Sequence, residues 1–208
     1  DARGTVLIVH GLGEHAGRYA HVAAALNAAG WSALGHDHRG HGDSDGARGV
    51  IAAADSLLAD LAAVIDAVRA GSPRGPLVLL GDSMGGAVAA RLVAEALQPA
   101  PAAWSRPADA LVLVAPALET TMTRWQRLQL ALMRRLAPDV AVRSGLDATA
   151  LSRDPAVVRA YLADPRVHDR ISARLAQFIV DAGAFVRAHA ARWRVPTLLL
   201  WGGADRIV

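Results

Sequence analysis

The stretch Leu77-Val78-Leu79-Leu80-Gly81-Asp82-Ser83-Met84-Gly85-Gly86 decides how this 208-residue chain folds. Its first four residues form a short apolar run of branched side chains, which is typical of a buried strand. Residues 87–97 are rich in helix formers and end near Pro99, which predicts a helix. Ser83 therefore lies at the apex of a sharp turn between a strand and a helix.

The glycines around Ser83 indicate what this turn does. A strand and a helix can pass closely only where the residues two positions from the apex lack a side chain, as Gly81 and Gly85 do. The Ser83 hydroxyl is then exposed above the sheet at the positive end of the helix, which is how Gly-x-Ser-x-Gly turns present a nucleophile. A glycine-rich turn with an incidental serine is the alternative, and the strand and helix on either side favour the nucleophile.

The rest of the chain supplies more strands of the same kind. Amphipathic helices at 18–29 and 55–70 separate several of them. Continuous apolar runs that alternate with such helices predict an α/β fold, with a mostly parallel sheet and helices on both faces. The predicted strands lie near residues 5–9, 31–35, 77–81, 110–115 and 196–201.

Between residues 119 and 192 the alternation stops, and no convincing strand is expected there. The sequence thus divides into a core at 1–118 and 193–208 and a helical insertion at 119–192. An insertion of this length between two strands is in a position to cover the site around Ser83. Ordinary covering helices are the alternative. Some of four apolar residues at helical spacing are predicted to face a cavity above Ser83: Trp125, Leu128, Leu132 and Met133.

Two other positions are suited to acyl-transfer chemistry. The Gly-rich turn at 10–15 follows the first strand and leaves backbone N–H groups that can hold an oxyanion, and the N–H of Met84 supplies a second donor. Local hydrogen bonds are the favoured role for the side chains of His10 and His15. Asp205 follows the last strand, where an acid that orients a histidine is expected on this fold, although a turn-forming Asp is the alternative.

Residues 36–45 contain three histidines and three aspartates. These residue types suggest a metal site, because imidazole and carboxylate groups are suitable ligands for zinc. Metal ligands must converge, and the glycines indicate a winding loop. We therefore predict a rigid polar loop in which Asp37 and Arg39 are tied to backbone groups. Neither a metal nor a cofactor is expected.

Composition narrows the class of protein. The chain is 53% hydrophobic and contains no cysteine, which indicates a folded globule without disulfides. Its 22 basic residues are all arginine, the net charge is +3, and no basic stripe forms, so nucleic-acid binding is not expected. A signal peptide and a membrane-spanning run are both missing from the sequence, and a cytoplasmic location is expected.

The motifs together resemble the α/β-hydrolases of the monoacylglycerol lipase type and their bacterial lysophospholipase-like relatives. The matching segments cover the chain in the family's order: 10–15, 36–42, 81–86, 151–155 and 196–205. The resemblance implies a serine ester hydrolase in which Ser83 is the nucleophile and Asp205 is the triad acid.

Further roles follow from the same resemblance. It implies that Leu12 and Met84 donate the oxyanion-hole N–H groups, and that the helical insertion caps an acyl-chain pocket. The implied substrate is a small acyl ester, a monoacylglycerol or a lysophospholipid, and peripheral contact of the cap with a membrane is an associated expectation.

The sequence departs from the family at two places. Asp82 stands where the lipases commonly carry a histidine. The triad histidine is expected downstream of Asp205, and the chain stops at Val208, so we expect a fragment missing material at both ends. Alternatives to the enzyme are a non-catalytic hydrolase-fold protein that binds a lipid or a partner, and a metal-dependent hydrolase.

Overall fold

The computed structural model describes residues 2–71, 75–119, 122–205 and 207. Residues 1 and 208, which limit the predicted core, lie outside these ranges, as do 72–74, 120, 121 and 206. The strands are β1 (Thr5–Val9), β2 (Ser32–His36), β3 (Leu77–Asp82), β4 (Ala110–Val114), β5 (Ala141–Arg143), β6 (Arg170–Ser172) and β7 (Thr197–Leu200). The helices are α1 (Ala20–Ala28), α2 (Ser56–Gly71), α3 (Met84–Glu95), α4 (Arg124–Leu136), α5 (Pro155–Ala163) and α6 (Ala173–His189).

Five strands form one sheet in the order β2-β1-β3-β4-β7, and every neighbouring pair is parallel. Each connection therefore crosses from one end of the sheet to the other, and helices make most of these crossovers. The strands end at the same edge, where Val9 is paired with Gly81 and Asp82 with Val114. The predicted α/β fold with a mostly parallel sheet is confirmed.

The core lies around the two central strands. Every residue of β1 is buried, and Leu7, Leu79 and Leu111 are at most 1% exposed. α3 is buried along almost its whole length, since it packs against β3 on one side and α6 on another. The helix that follows Ser83 is thus held on several faces.

β7 departs from the prediction of a buried strand. All four of its residues are exposed, and Leu198 is 53% exposed. β7 lies at the edge of the sheet, where β4 is its one strand neighbour within the described part of the chain. Side chains on both of its faces are exposed because the described residues do not cover them. An apolar run predicts a strand, but it does not predict whether both faces are covered.

The expectation of no strand between 119 and 192 is wrong. β5 and β6 form a short antiparallel pair in which Val142 faces Ile171. Each has three residues, which is too short to give a recognisable sequence period. The segment is otherwise helical, as predicted, since it contains α4, α5 and α6, and α4 packs against α6.

Candidate active site

Ser83 has a strained backbone that the neighbouring strand holds in place. Its φ of 49° and ψ of −116° lie in a region that residues with a side chain seldom adopt. The Ser83 N–H donates to the Val114 carbonyl at 3.0 Å, and the Ser83 carbonyl accepts from the N–H groups of Ala87 and Ala117. These three hydrogen bonds fix the turn between β3 and α3.

The glycines allow the close approach that the turn needs. A Cβ atom on Gly81 would lie 2.6 Å from the Gly85 carbonyl oxygen, and one on Gly85 would lie 2.5 Å from the His10 carbonyl oxygen. The prediction that positions 81 and 85 must lack side chains is confirmed. Strand β3, helix α3 and the end of β1 therefore meet directly below Ser83.

The backbone N–H groups of Leu12 and Met84 are the predicted oxyanion donors. Met84 begins α3, and the first N–H groups of a helix have no partner within the helix. The Gly11 N–H donates to Glu14 Oε1 at 2.7 Å, whereas the Leu12 N–H makes no hydrogen bond within the described residues. Leu12 and Ser83 also line one cavity of about 580 Å³.

Asp205 and Ser83 lie on a second cavity, of about 900 Å³, and Ala115 forms part of its wall. The backbone N–H of Asp205 donates to the Gly202 carbonyl at 3.0 Å, so Asp205 also closes a turn. This space is larger than an imidazole ring requires. Among the described residues, no histidine is hydrogen-bonded to the Ser83 hydroxyl.

The apolar wall near Ser83 does not come from the predicted residues. Trp125, Leu128 and Leu132 are 66%, 57% and 55% exposed, and neither they nor Met133 line the two cavities at Ser83. The reason is that α4 packs on α6 with its apolar stripe directed outward. The wall of the smaller cavity is instead supplied by four residues between β5 and β6: Leu146, Leu151, Val157 and Leu162.

Buried histidine rings support the loops beside the site. The ring centres of His10 and His38 lie 4.4 Å apart, and those of His41 and His168 lie 4.6 Å apart. The predicted local hydrogen bond is confirmed for His10, whose Nδ1–H donates to the Gly11 carbonyl at 2.8 Å. Burial lowers the pKa of His10 to about 3 and that of His41 to about 4, so both rings are neutral at pH 7.

Other polar side chains join distant segments. His15 contacts Asp164 at 2.8 Å, so the expectation of a local hydrogen bond is wrong for His15. Asp37 accepts from the backbone N–H groups of Ala16 and Asp43, as predicted. Arg39 instead makes two hydrogen bonds of 2.5 Å to the carboxylate of Asp60, because the α2 helix brings this acid beside the loop.

The loop with three histidines does not form a metal site in the described ranges. Within 2–71, 75–119, 122–205 and 207, no three His, Cys, Asp or Glu side chains converge so that they could hold an ion. His38 is directed to the backbone of His10, and its Nε2 lies 3.2 Å from the His10 carbonyl oxygen.

In the same ranges no helix is long and apolar enough to cross a membrane.

An acidic cluster lies beside the candidate nucleophile and was not predicted from the sequence. Tyr19 donates to Glu14 Oε1 at 2.6 Å, and both cavities at Ser83 are lined by Asp82. Tyr19 lies within the helix predicted at 18–29, but in the structure it ends a 3-10 turn at Ala16–Tyr19. The signal that could have found the cluster is Asp82, an acid directly before the candidate nucleophile.

Comparisons with known proteins identify the family. The model of the serine aminopeptidase S33 family (Hydrolase_4) matches residues 1–208. The monoacylglycerol lipase of Mycolicibacterium smegmatis is 36% identical over 216 residues, which are all of this chain and 72% of that protein. The monoglyceride lipase of Homo sapiens is 32% identical over 97% of this chain, and the chain spans 65% of its length.

A solved structure agrees with these relatives. The crystal structure of the Paleococcus ferrophilus monoacylglycerol lipase superposes with a TM-score of 0.83 at 34% sequence identity, covering 99% of this chain and 75% of that one. The predicted resemblance is confirmed. At the level of the family, the prediction of a serine ester hydrolase of the lipase type is confirmed as well. The chain belongs to the serine aminopeptidase S33 (Hydrolase_4) family and has the α/β-hydrolase fold.

Proposed function

We propose that the protein hydrolyses monoacylglycerols through an acyl-enzyme on Ser83. One observation carries this proposal: Ser83 lies on a strained turn between a cavity with an apolar wall and a second cavity that contains Asp205. The named relatives are monoacylglycerol lipases, and the smaller cavity of about 580 Å³ suits an acyl chain.

The proposed reaction has two steps. The Ser83 hydroxyl oxygen attacks the ester carbonyl carbon, while a histidine held by Asp205 takes the hydroxyl proton and passes it to the leaving glycerol oxygen. The N–H groups of Leu12 and Met84 donate to the carbonyl oxygen as it becomes negative. Water then attacks the acyl-enzyme, which releases the fatty acid and returns the proton to Ser83. We expect this histidine after Asp205 in the sequence, as the family resemblance implies.

The helical segment between β4 and β7 is proposed to be the cap over the acyl chain. Residues 143–169 of this segment supply most of the wall of the smaller cavity. Their apolar side chains remove the chain of the substrate from water, while Leu12 and Ser83 lie at the other side of the same space. The core and cap limits at 118 and 192 remain predictions.

Helix α4 is proposed to bring the site to a lipid surface. Its apolar stripe is exposed, and arginines lie around that stripe at Arg124, Arg127, Arg134 and Arg135. An exposed apolar face with cationic neighbours is typical of helices that lie in a membrane interface. We expect Leu132→Ser to weaken binding to vesicles that contain anionic lipid, measured by co-sedimentation, and Ala131→Ser to leave it unchanged. Equal binding by the two variants would refute this role of α4.

The proposed chemistry is tested with a fluorophosphonate probe and a panel of esters, in a protein of the full length of its relatives. Ser83→Ala is expected to abolish covalent labelling and to lower kcat by about 10⁴-fold or more. Ser32→Ala, in β2, is the matched control and should label normally. Labelling that survives Ser83→Ala, or a preference for aminoacyl anilides over monoacylglycerols, would overturn the proposal.

A further inference from the structure

Residues 164–172, which we call the return segment, connect α5 to α6. At the middle of this segment, the His168 N–H donates to the Gly13 carbonyl at 2.8 Å. A Cβ atom on Gly13 would overlap the His168 carbonyl oxygen. Both backbone polar groups of His168 therefore lie against Gly13, the residue that follows the candidate oxyanion donor Leu12.

The imidazole ring of His168 bonds the return segment to a second loop. Its Nδ1 accepts from the Arg170 N–H at 3.1 Å. Because the proton of a neutral imidazole is then on the other nitrogen, Nε2–H donates to the Gly40 carbonyl at 3.1 Å. The loop of Gly40 is itself bonded to the end of β1, since the His38 N–H donates to His10 Nε2 at 2.9 Å. His168 thus joins the return segment to the loop after β1 through its backbone and to the loop after β2 through its ring.

Other contacts fix the two ends of the return segment. At its start, the carboxylate of Asp164 contacts His15 at 2.8 Å. At its end, the Ser172 N–H donates to the Gly49 carbonyl at 2.8 Å. A change confined to the ring of His168 therefore leaves both ends attached, and it alters only the contact in the middle of the segment.

The return segment also continues the apolar wall of the smaller cavity. Val157 and Leu162 of α5 belong to that wall, and Val167 and His168 line the same space. An acyl chain in this space therefore contacts one side of a connection whose other side is the backbone next to Leu12. Binding energy from the chain, which is remote from the ester, can then be used to order the oxyanion donor.

We propose that His168 is a positioning residue that couples the apolar wall to the Leu12–Gly13 backbone, so that a long acyl chain raises kcat as well as lowering KM. This inference rests on the proposed function of Ser83. Contacts between the chain and the wall hold the cap side of the connection, and His168 passes this restraint to the Leu12 N–H. The donor is then better placed when the ester carbonyl becomes negative. An acetyl group has no chain to place against the wall.

The test compares nitrophenyl acetate with nitrophenyl decanoate, which differ only in the acyl chain, in an enzyme of the full length of its relatives. In the wild type, kcat for the decanoate should exceed kcat for the acetate by about tenfold or more. His168→Asn keeps an acceptor for the Arg170 N–H but is too short to donate to Gly40, so the ratio of the two kcat values should fall to about one. KM should stay lower for the decanoate than for the acetate, because the wall is intact.

Two further variants separate positioning from a purely structural role. His168→Gln carries an N–H donor at about the distance of Nε2, so it should restore most of the wild-type ratio. Arg159→Ala, at an exposed position of α5 that lines neither cavity at Ser83, is the matched control and should keep the ratio. If His168 only anchored the cap, His168→Asn would lower Tm in calorimetry and leave the ratio of kcat values unchanged.

A double-mutant cycle with Leu162→Ala completes the test. Leu162→Ala removes part of the wall, so it should lower kcat for the decanoate more than for the acetate, whether or not His168→Asn folds. In the His168→Asn background the same change should raise KM alone. Additive effects on kcat, a wild-type ratio near one, or an unchanged ratio in His168→Asn overturns the role of His168. Failure of the wild type to hydrolyse either ester, or labelling that survives Ser83→Ala, overturns the proposed function and this inference with it.

Discussion

Replacing Gly85 with alanine tests whether the close approach below Ser83 holds this fold together. The new Cβ would lie 2.5 Å from the His10 carbonyl oxygen and closer still to that of Val9. Ordinary contact begins at 3.4 Å, so the overlap with His10 alone is about 0.9 Å. Both opposing atoms belong to the backbone at the end of β1, so no side-chain rotation relieves the clash.

The expected loss of stability can be estimated from this overlap. Overpacking by one methyl group costs about 1–3 kcal/mol, and a backbone neighbour places Gly85→Ala near the upper end, at about 3 kcal/mol. For a chain of this size that corresponds to a fall in Tm of roughly 6–12 °C. The assays are urea unfolding followed by circular dichroism, and calorimetry.

Gly71→Ala is the matched control for this experiment. Gly71 ends α2, and a Cβ built there has no neighbour within 4 Å. Alanine also favours helix, so this variant should be neutral or more stable by up to about 0.5 kcal/mol. If Gly85→Ala unfolds at the same urea concentration as Gly71→Ala, β1 and α3 are not in the contact described here, and the argument for the turn fails.

Two other predictions concern strain and acid. Ser83→Gly should abolish probe labelling and yet raise the free energy of unfolding by about 1 kcal/mol in urea titrations, because glycine adopts a φ of 49° without strain. The pKa of His41 is about 4 in the folded protein, below the ordinary 6.5. The neutral ring therefore stabilises the folded protein above pH 6.5, and this stabilisation is lost as the pH falls from 6.5 towards 4. Urea unfolding between pH 7.5 and 5 should show stability falling by up to about 1.4 kcal/mol per pH unit for each such histidine, and His41→Gln should reduce this slope. A stability independent of pH in this window would contradict the neutral, buried state of His41.

The sheet could be predicted because its signals are local. Apolar runs of four to six residues, separated by helices, determine strands and their parallel direction without knowledge of any contact. The exposure of β7 could not be predicted in this way, since it depends on what packs beside a strand. The pair of β5 and β6 was missed because three residues give no period.

Helix α4 shows the same limit on the functional side. The spacing of Trp125, Leu128 and Leu132 correctly predicts that they share one face of a helix. It does not predict which way that face is directed. The helix packs on α6, and the apolar stripe lies exposed on the outside, away from Ser83. Periodicity therefore identifies an apolar surface, and the fold alone determines its partner.

The candidate site was predictable to the extent that it is built from turns at strand ends. Ser83 follows β3 directly, whereas Leu12 lies three residues after β1 and Asp205 five residues after β7, and parallel strands bring such positions to one edge. The acids around Gly11 could not be placed in the same way, because Glu14 and Asp82 come together beside Gly11 only once β1 and β3 are paired in the sheet. Local sequence thus specifies where the chemistry lies, and tertiary contacts determine the protonation states there.

The strain at this edge is shared by two neighbouring strands. Ala115 follows β4 and has a φ of 38°, and it is the other described residue besides Ser83 that combines a side chain with a positive φ. The two are connected, since Ser83 donates to Val114 while Ala117 donates to Ser83, and Ala115 donates to Leu200 of β7. Three parallel strands therefore end in one hydrogen-bonded network. Because β3 and β4 are held in register along their whole length, the network resists relaxation of Ser83 into a common backbone conformation. The parallel sheet is in this way the physical reason that the serine hydroxyl stays between the two cavities.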